Sequence, residues 1–357
     1  MKIPIIFAIN NDYVKQLATA IVSILKNSNT EYEFNIMMTN VSTKNKEIIS
    51  RLGKNVNFID MNEVAVNFDL DQYMARRRGY EYISVETFFR FFIPELFPQY
   101  DKVLYLDADI LVLDDLSKFY VEDISNDYAG VIQDMWIEEH LERGAQVFEG
   151  VTFDEYFEKT LNKTTNKYFN AGILLLNLEK IRQDSIVEKL WRFTQENCPL
   201  HFQDQDALNA VLEGGVKYVD FKWNTLKDIE YLGEVLKNKE HRNLCKTVQP
   251  GIVHYVGANK PWLWSDFHFY GYKFIKEWWD YYKMTPYFDK SEYDIFKAIE
   301  FSRKDKDCYY EYFILKIANR TIFSMFREHD RLRFVIFNRL KTNIRIKKPK
   351  YLIERSI

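Results

Sequence analysis

The chain has 357 residues and a formal net charge of −3, enough length to bury one large core or two smaller ones. No run of 18 apolar residues occurs, so no membrane-spanning helix is expected, and the apolar start MKIPIIFAIN is too short to read as a secretory leader. The three cysteines, Cys198, Cys245 and Cys308, are far apart and odd in number; they match neither a zinc nor a disulfide pattern and suit a reducing cytoplasm.

Ile3 to Ile9 reads as a first strand, punctuated by Asn10, Asn11 and Asp12. Asp12 is the expected cap of a helix over Tyr13–Lys26, whose Leu17, Ala20, Ile21 and Ile24 share one face. Neither a Gly-x-Gly-x-x-Gly nor a Gly-Lys-Ser/Thr follows the strand, so a nucleotide has to be held by other means. Strands over Tyr32–Met38 and Val56–Met61, with a helix over Ser42–Leu52 between them, complete a βαβαβ rhythm and predict a parallel α/β sheet. In Ile83–Phe97, Ser84 is the expected cap of a helix that carries Arg90 among Phe88, Phe89, Phe91 and Phe92. Arg90 either lies over those aromatics or aims its cation at a phosphate or carboxylate.

Lys102–Leu113 begins as a buried strand and then places Asp107 and Asp109 one residue apart at its end. Carboxylates this close to a core strand need compensation, which a hard divalent cation provides; a solvated turn is the other reading of an isolated Asp-x-Asp. A strand over Ala129–Gln133 ends in Asp134. The strand Tyr168–Leu178 is entered through Asn170, Ala171 and Gly172, small residues that admit a ligand close to the backbone or mark a bulge. A helix over Leu178–Asn197 follows, and then Gln203, Asp204, Gln205 and Asp206 precede another. One Asp there serves as a cap, but four acid and amide groups also suit sugar hydroxyls. Finally Gly251–Trp262 holds a strand delivering His254, with Gly257 and Lys260 on the loop beyond, a set suited to a metal–diphosphate site. From about Tyr270 the composition shifts. Residues 301–357 hold 15 Lys and Arg against 6 Asp and Glu, a balance of +9, interleaved with Tyr309, Tyr310, Phe313, Phe323, Phe326, Phe334 and Phe337. Such a segment fits an anionic membrane surface or docking on its own domain; nucleic acid is the least favoured partner.

Taken together, FAINNDY, ISVETFFRF, KVLYLDADILV, YFNAGILLLNL, FQDQDALN and HYVGANKPW occur in an order that resembles the family-8 retaining glycosyltransferases, the group of glycogenin and the bacterial lipo-oligosaccharide galactosyl- and glucosyltransferases. The resemblance spans roughly residues 3–265. It implies a GT-A fold with a mostly parallel central sheet flanked by helices over 1–270; the basic, aromatic stretch 271–357, expected to be mostly helical, resembles the C-terminal extension of the bacterial members in composition alone. The family resemblance implies a UDP-hexose donor, a glycan, glycolipid or glycoprotein acceptor, and Mn²⁺, with Mg²⁺ as the substitute. By position, Asp107, Asp109 and His254 would hold the metal, and Ala8, Asn10 and Tyr13 would lie against uracil and ribose. Arg90, Asp134, Asn170, Asp204 and Gln205 would surround the donor sugar, with Ala108 and Ala171 among the donor contacts, and Gly257 and Lys260 would grip the diphosphate. Asp134, Asp204 and Gln205 are the residues it offers for catalysis. The expected setting is the cytoplasm, peripherally on the inner membrane face. A non-catalytic UDP-sugar or glycan-binding module and a metal-dependent nucleotidyltransferase are the alternatives from other classes.

Overall fold

The computed structural model describes residues 2–65, 69–73, 84–257, 260–262, 272–294 and 296, and the strand residues 312–317, 320–328, 331–336 and 339–345. The chain divides into two compact units, Met1–Tyr287 and Phe288–Ile357. In the first, the strands in chain order are β1 (Ile3–Asn10), β2 (Tyr32–Thr39), β3 (Val56–Asp60), β4 (Lys102–Leu106), β5 (Ile110–Val112), β6 (Ala129–Gln133), β7 (Gln146–Phe148), β8 (Val151–Thr152), β9 (Phe169–Asn177), β10 (Val216–Tyr218), β11 (Thr225–Leu226) and β12 (Ile252–His254).

Seven of these form the main sheet, in the order β10-β6-β9-β4-β1-β2-β3. β9 runs antiparallel to both neighbours, and every other adjacent pair is parallel. The interior strands β1, β4 and β9 are apolar and almost wholly buried, as strands covered on both faces must be. A second sheet has the order β11-β12-β5. The chain leaves the main sheet at Leu106 and enters the second at Ile110, so Asp107, Ala108 and Asp109 are the crossover between the two. β12 pairs antiparallel with β5, setting His254 opposite Ile110, one residue from Asp109.

The helices follow the apolar periodicity, with local differences. Leu17, Ala20, Ile21 and Ile24 are all buried in the helix Val14–Lys26. Asp12 does not cap it: a 3₁₀ turn, Asn11–Tyr13, intervenes, and the Asn10 side chain accepts from the Asp12 N–H instead. The segment after Ser84 is a 3₁₀ helix, Val85–Phe92, and the Ser84 side chain makes no cap hydrogen bond. Its Phe88, Phe91 and Phe92 pack around Trp191, the Phe91–Trp191 ring centroids 5.0 Å apart. The single helix expected over Leu178–Asn197 is two, Leu178–Gln183 and Ile186–Asn197, separated where Ser185 takes a left-handed conformation (φ 49°).

Two expectations about the C-terminal part are corrected. The helix Tyr272–Tyr282 belongs to the first unit, which ends at Tyr287 rather than 270. Its Trp278, Trp279 and Tyr282 are fully buried, Asn27 donates to Tyr281 Oη (2.8 Å), and Trp279 Nε1 donates to Pro261 O (3.1 Å). The aromatic enrichment that suggested a new segment is therefore core of the preceding one. The described residues from 312 onward are strands where helix was expected: β13 (Tyr312–Ile317), β14 (Arg320–Glu328), β15 (Arg331–Ile336) and β16 (Arg339–Arg345) form an antiparallel four-stranded meander. The sequence Arg-Leu-Arg-Phe at 331–334 alternates with the two-residue period of a strand, and consecutive strands are separated by two residues each, a hairpin spacing. Cys308, Tyr309, Tyr310 and Phe337 lie outside the described residues.

Candidate active site

In a mostly parallel sheet the carboxyl ends of the strands share one edge, and ligands collect there. Here β1 ends at Asn10, β4 runs into Asp107, and β6 into Asp134. Because β9 is antiparallel, it is its beginning, Asn170–Gly172, that reaches the same edge. A cavity of about 760 Å³ opens at this edge. The structure brings Ala8, Asn10, Tyr13, Arg90, Asp107, Ala108, Asp109, Asp134, Asn170, Ala171, Asp204, Gln205, His254, Gly257 and Lys260 around it.

At one end, ligand atoms of Asp107, Asp109 and His254 all lie within 4.8 Å of one another. His254 Nε2 is 3.3 Å from Asp109 Oδ1 and 3.8 Å from Asp107 Oδ2, and its Nδ1 is 3.0 Å from Asn224 Oδ1. The other Asp109 oxygen accepts from Lys260 Nζ, which also donates to Tyr255 O (2.5 Å). Burial alone would push the Asp109 carboxyl up; Lys260 and then His254 outweigh it and hold it well below the usual carboxylate range. Gly172 closes the back of this group: a Cβ there would fall 2.3 Å from His254 Cε1 and 2.6 Å from Asp107 Oδ2. Gly257, at φ +80°, carries the loop from β12 towards Lys260 in a conformation that favours glycine.

Arg90 aims its cation at carboxylates, and the ring it lies over is that of Tyr105. Its guanidinium lies 4.5 Å from the Tyr105 ring centroid, donates to Asp107 Oδ1 (3.1 Å) and Ala171 O, and pairs through Nε with Asp204 Oδ2 (3.0 Å). The remaining Asp204 oxygen accepts from the Thr87 hydroxyl. Burial nonetheless lifts the Asp204 carboxyl to about 6, against the attraction of Arg90. Gln205 is oriented by the Ala171 N–H, which donates to Oε1 (2.9 Å). Asp206, the last of the polar quartet, turns away from the cavity. It accepts from Phe202 N–H and from the Tyr156 and Tyr168 hydroxyls at 2.7–2.8 Å, and so anchors the helix Gln203–Val211 in the core. Asp134 caps the helix Met135–Glu142 by accepting from Trp136 and Ile137 N–H, and burial raises its carboxyl.

The cavity also contains residues that the sequence reading passed over. Glu86 is buried beneath Asn10, whose Nδ2 it accepts at 3.4 Å. Lys227 is buried, donates to Val256 O (2.7 Å) and Asp228 Oδ2 (2.8 Å), and is delivered by the pairing of Leu226 with His254 across β11 and β12. Trp136 and Tyr231 line the cavity while keeping more than a third of their surface exposed. Glu86 sits inside the ISVETFFRF stretch; Lys227, Trp136 and Tyr231 lie outside the quoted motifs and are assembled by strand register and helix placement.

These features define a nucleotide-sugar transferase site on a GT-A fold. The glycosyl transferase family 8 model matches residues 4–265, and the chain belongs to that family. A putative glycosyltransferase of Haemophilus influenzae is 29% identical over 264 residues, covering 72% of each chain. The lipopolysaccharide 1,2-glucosyltransferase of Escherichia coli is 27% identical over 58% of this chain and 56% of its own. Among solved structures, the galactosyltransferase LgtC in complex with donor and acceptor sugar analogs superposes with a TM-score of 0.63 at 24% identity, covering 80% of this chain and 98% of that one.

Proposed function

We propose that this glycosyltransferase is a retaining enzyme that moves glucose or galactose from a UDP-hexose to a hydroxyl of a glycan, glycolipid or glycoprotein, in cell-surface glycan or lipopolysaccharide-type synthesis. The observation that carries the reading is the convergence of Asp107, Asp109 and His254 at one end of a cavity whose other walls hold Asp134, Asn170, Asp204 and Gln205. Two carboxylates and an imidazole suit Mn²⁺. The group fits a cation in this fold: Asp109 is already matched to positive charge, and the missing side chain at Gly172 lets His254 and Asp107 stand together against β9. Bound by Asp107, Asp109 and His254, the metal supplies Lewis-acid neutralisation of the diphosphate leaving group.

The residues of the chain do the rest. Lys260 and Lys227 add two cations to the diphosphate end, and Gly257 leaves its backbone open to the ligand. Arg90 keeps Asp107 and Asp204 in register from beneath. Around the sugar, Asp204 is committed to Arg90 and Thr87, Asp134 to a helix N-terminus and Asn170, and Gln205 is an amide. That environment stabilises a cationic sugar better than it attacks one, which favours same-face substitution. The acceptor oxygen bonds to the anomeric carbon as the carbon–diphosphate bond breaks on that side, and the acceptor proton passes to the departing diphosphate oxygen. Trp136, braced by His140 with ring centroids 3.5 Å apart, and Tyr231 offer exposed aromatic faces for the apolar side of an acceptor sugar.

The test is UDP release from a panel of UDP-sugars, acceptor omitted, with Mn²⁺ and with chelator. Metal-dependent hydrolysis of one hexose donor is expected; NTP turnover with pyrophosphate release would instead identify a nucleotidyltransferase. No described helix is long and apolar enough to cross a membrane. Membrane access is assigned to the +9 segment 301–357. Co-sedimentation with anionic but not neutral vesicles supports it, and equal binding to both refutes it.

A further inference from the structure

We propose that Asn224 is a positioning residue that fixes the tautomer of His254 and ties this ligand to the donor-sugar wall through a chain of buried amides. The inference rests on the metal reading above for its purpose, but not for its geometry. It starts from a group that can only donate. The Gly172 backbone N–H lies 3.0 Å from Asn170 Oδ1, which must therefore be the oxygen of that amide. Its nitrogen then faces Asp134 Oδ2 at 3.1 Å, as a donor to a carboxylate. The atom of Asn224 that meets Asn170 Oδ1 at 3.0 Å must be nitrogen, so the atom that meets His254 Nδ1 at 3.0 Å must be oxygen. An oxygen accepts only, so Nδ1 carries the proton.

The consequence appears on the other side of the ring. In the neutral ring, a proton on Nδ1 leaves Nε2 with a lone pair turned towards Asp109 Oδ1 at 3.3 Å and Asp107 Oδ2 at 3.8 Å. A lone pair set against two carboxylates is unfavourable alone and favourable around a cation. Asn224, Asn170 and His254 are 1%, 5% and 3% exposed, so water does not substitute for any link. Asn224 reaches this position from the 3₁₀ turn Phe221–Asn224, whose Trp223 is buried and stacked on Phe119 at 5.4 Å. The same chain ends on Asp134, so a displacement at the sugar wall is passed to the ligand ring through three hydrogen bonds.

The test has two readouts that do not depend on turnover. In metal-free protein labelled with ¹⁵N-histidine, at alkaline pH and with His254→Gln used for assignment, the His254 spectrum should show Nδ1 protonated and Nε2 bare. The reverse pattern in the wild type overturns the proposal whatever the variants do. Mn²⁺ affinity in the presence of UDP is then measured for two variants. Asn224→Leu removes the acceptor and should weaken Mn²⁺ binding by roughly 10–100-fold while releasing the tautomer. Asn224→Asp still accepts from Nδ1 and should keep the Nδ1–H pattern while losing the donor to Asn170 Oδ1, so its Mn²⁺ affinity should fall less than that of Asn224→Leu. Wild-type affinity and tautomer in a folded Asn224→Leu overturn the proposal. A wild type that binds no Mn²⁺ overturns the metal reading instead, and leaves the tautomer assignment to the spectrum.

Discussion

Replacing Gly172 by alanine adds one methyl group where the fold has no room for it. Gly172 lies in β9, and the obstacle is steric, not conformational. The new Cβ would stand 2.3 Å from His254 Cε1, 3.0 Å from His254 Nε2 and 2.6 Å from Asp107 Oδ2. Ordinary contact begins near 3.4 Å, so the imidazole would have to retreat by about 1.1 Å. It is poorly able to: its side chain is 4% exposed, Nδ1 is held by Asn224, and β12 is registered against β5. Asp107 is freer, but its other oxygen is held by Tyr105 Oη (2.8 Å) and Arg90 (3.1 Å). The strain therefore falls on two ligand positions together. Misplacement of about 1 Å at a reacting centre costs on the order of 10²-fold in turnover, and overpacking costs about 1–3 kcal/mol of stability. Gly130→Ala is the control. Its Cβ would meet Ile124 and Leu175 at 3.2 and 3.4 Å, a milder crowding that touches no site residue. Mn²⁺ titration in the presence of UDP, UDP release and thermal melting measure the three effects. Gly172→Ala binding Mn²⁺ with wild-type affinity, and turning over within about threefold of wild type, would refute the placement of the ligands against β9; the ~10²-fold expectation comes from the same principle.

Other perturbations test other parts of the site. Lys260→Met removes the cation that shares Asp109 with any metal; calorimetry should show stronger Mn²⁺ binding without donor and weaker UDP binding with it, and unchanged values for both would remove Lys260 from the site. Trp136→Ala and Tyr231→Ala should each raise the acceptor KM by roughly 2- to 12-fold, from a stacking contribution of about 0.5–1.5 kcal/mol, and leave acceptor-free donor hydrolysis near wild type; a parallel loss of both activities would place these rings elsewhere in the reaction. Burial, then Arg143, hold the His140 imidazole down to about 4 from 6.5, with Nε2 2.7 Å from Arg143 Nη2 and the nearby Glu139 shared with that same arginine. The folded state then binds fewer protons than the unfolded one between those values, so this contribution to stability is complete above about 6.5 and is lost as the pH falls towards 4. Wild-type protein should lose more melting temperature than His140→Gln between pH 7 and pH 5, and equal losses would show that His140 is not the group responsible.

The sequence by itself determined the α/β class, the boundaries of β1, β2, β4, β6 and β9 to within a residue or so, and the candidate residues around the cavity. It could do so because those strands are continuous apolar runs, and because polar residues at their ends, such as Asp107, Asn170 and His254, stand out against a core that has no other use for them. Local pattern was weaker where two physical signals coincide. The aromatic helix Tyr272–Tyr282 and the strands after it share a composition, and only packing separates the helix, with Trp278 and Trp279 buried in the first unit, from the meander of the second. Tertiary structure alone decided the rest. Asp206 belongs to the core because Tyr156 and Tyr168 reach it from 50 and 38 residues away in the chain. Lys227 enters the site through the pairing of β11 with β12, and Asn224 meets His254 and Asn170 across 30 and 54 residues. Such partners leave no spacing to read, because a buried hydrogen bond is specified by where the backbone brings two side chains, and that is settled only when the sheets pack.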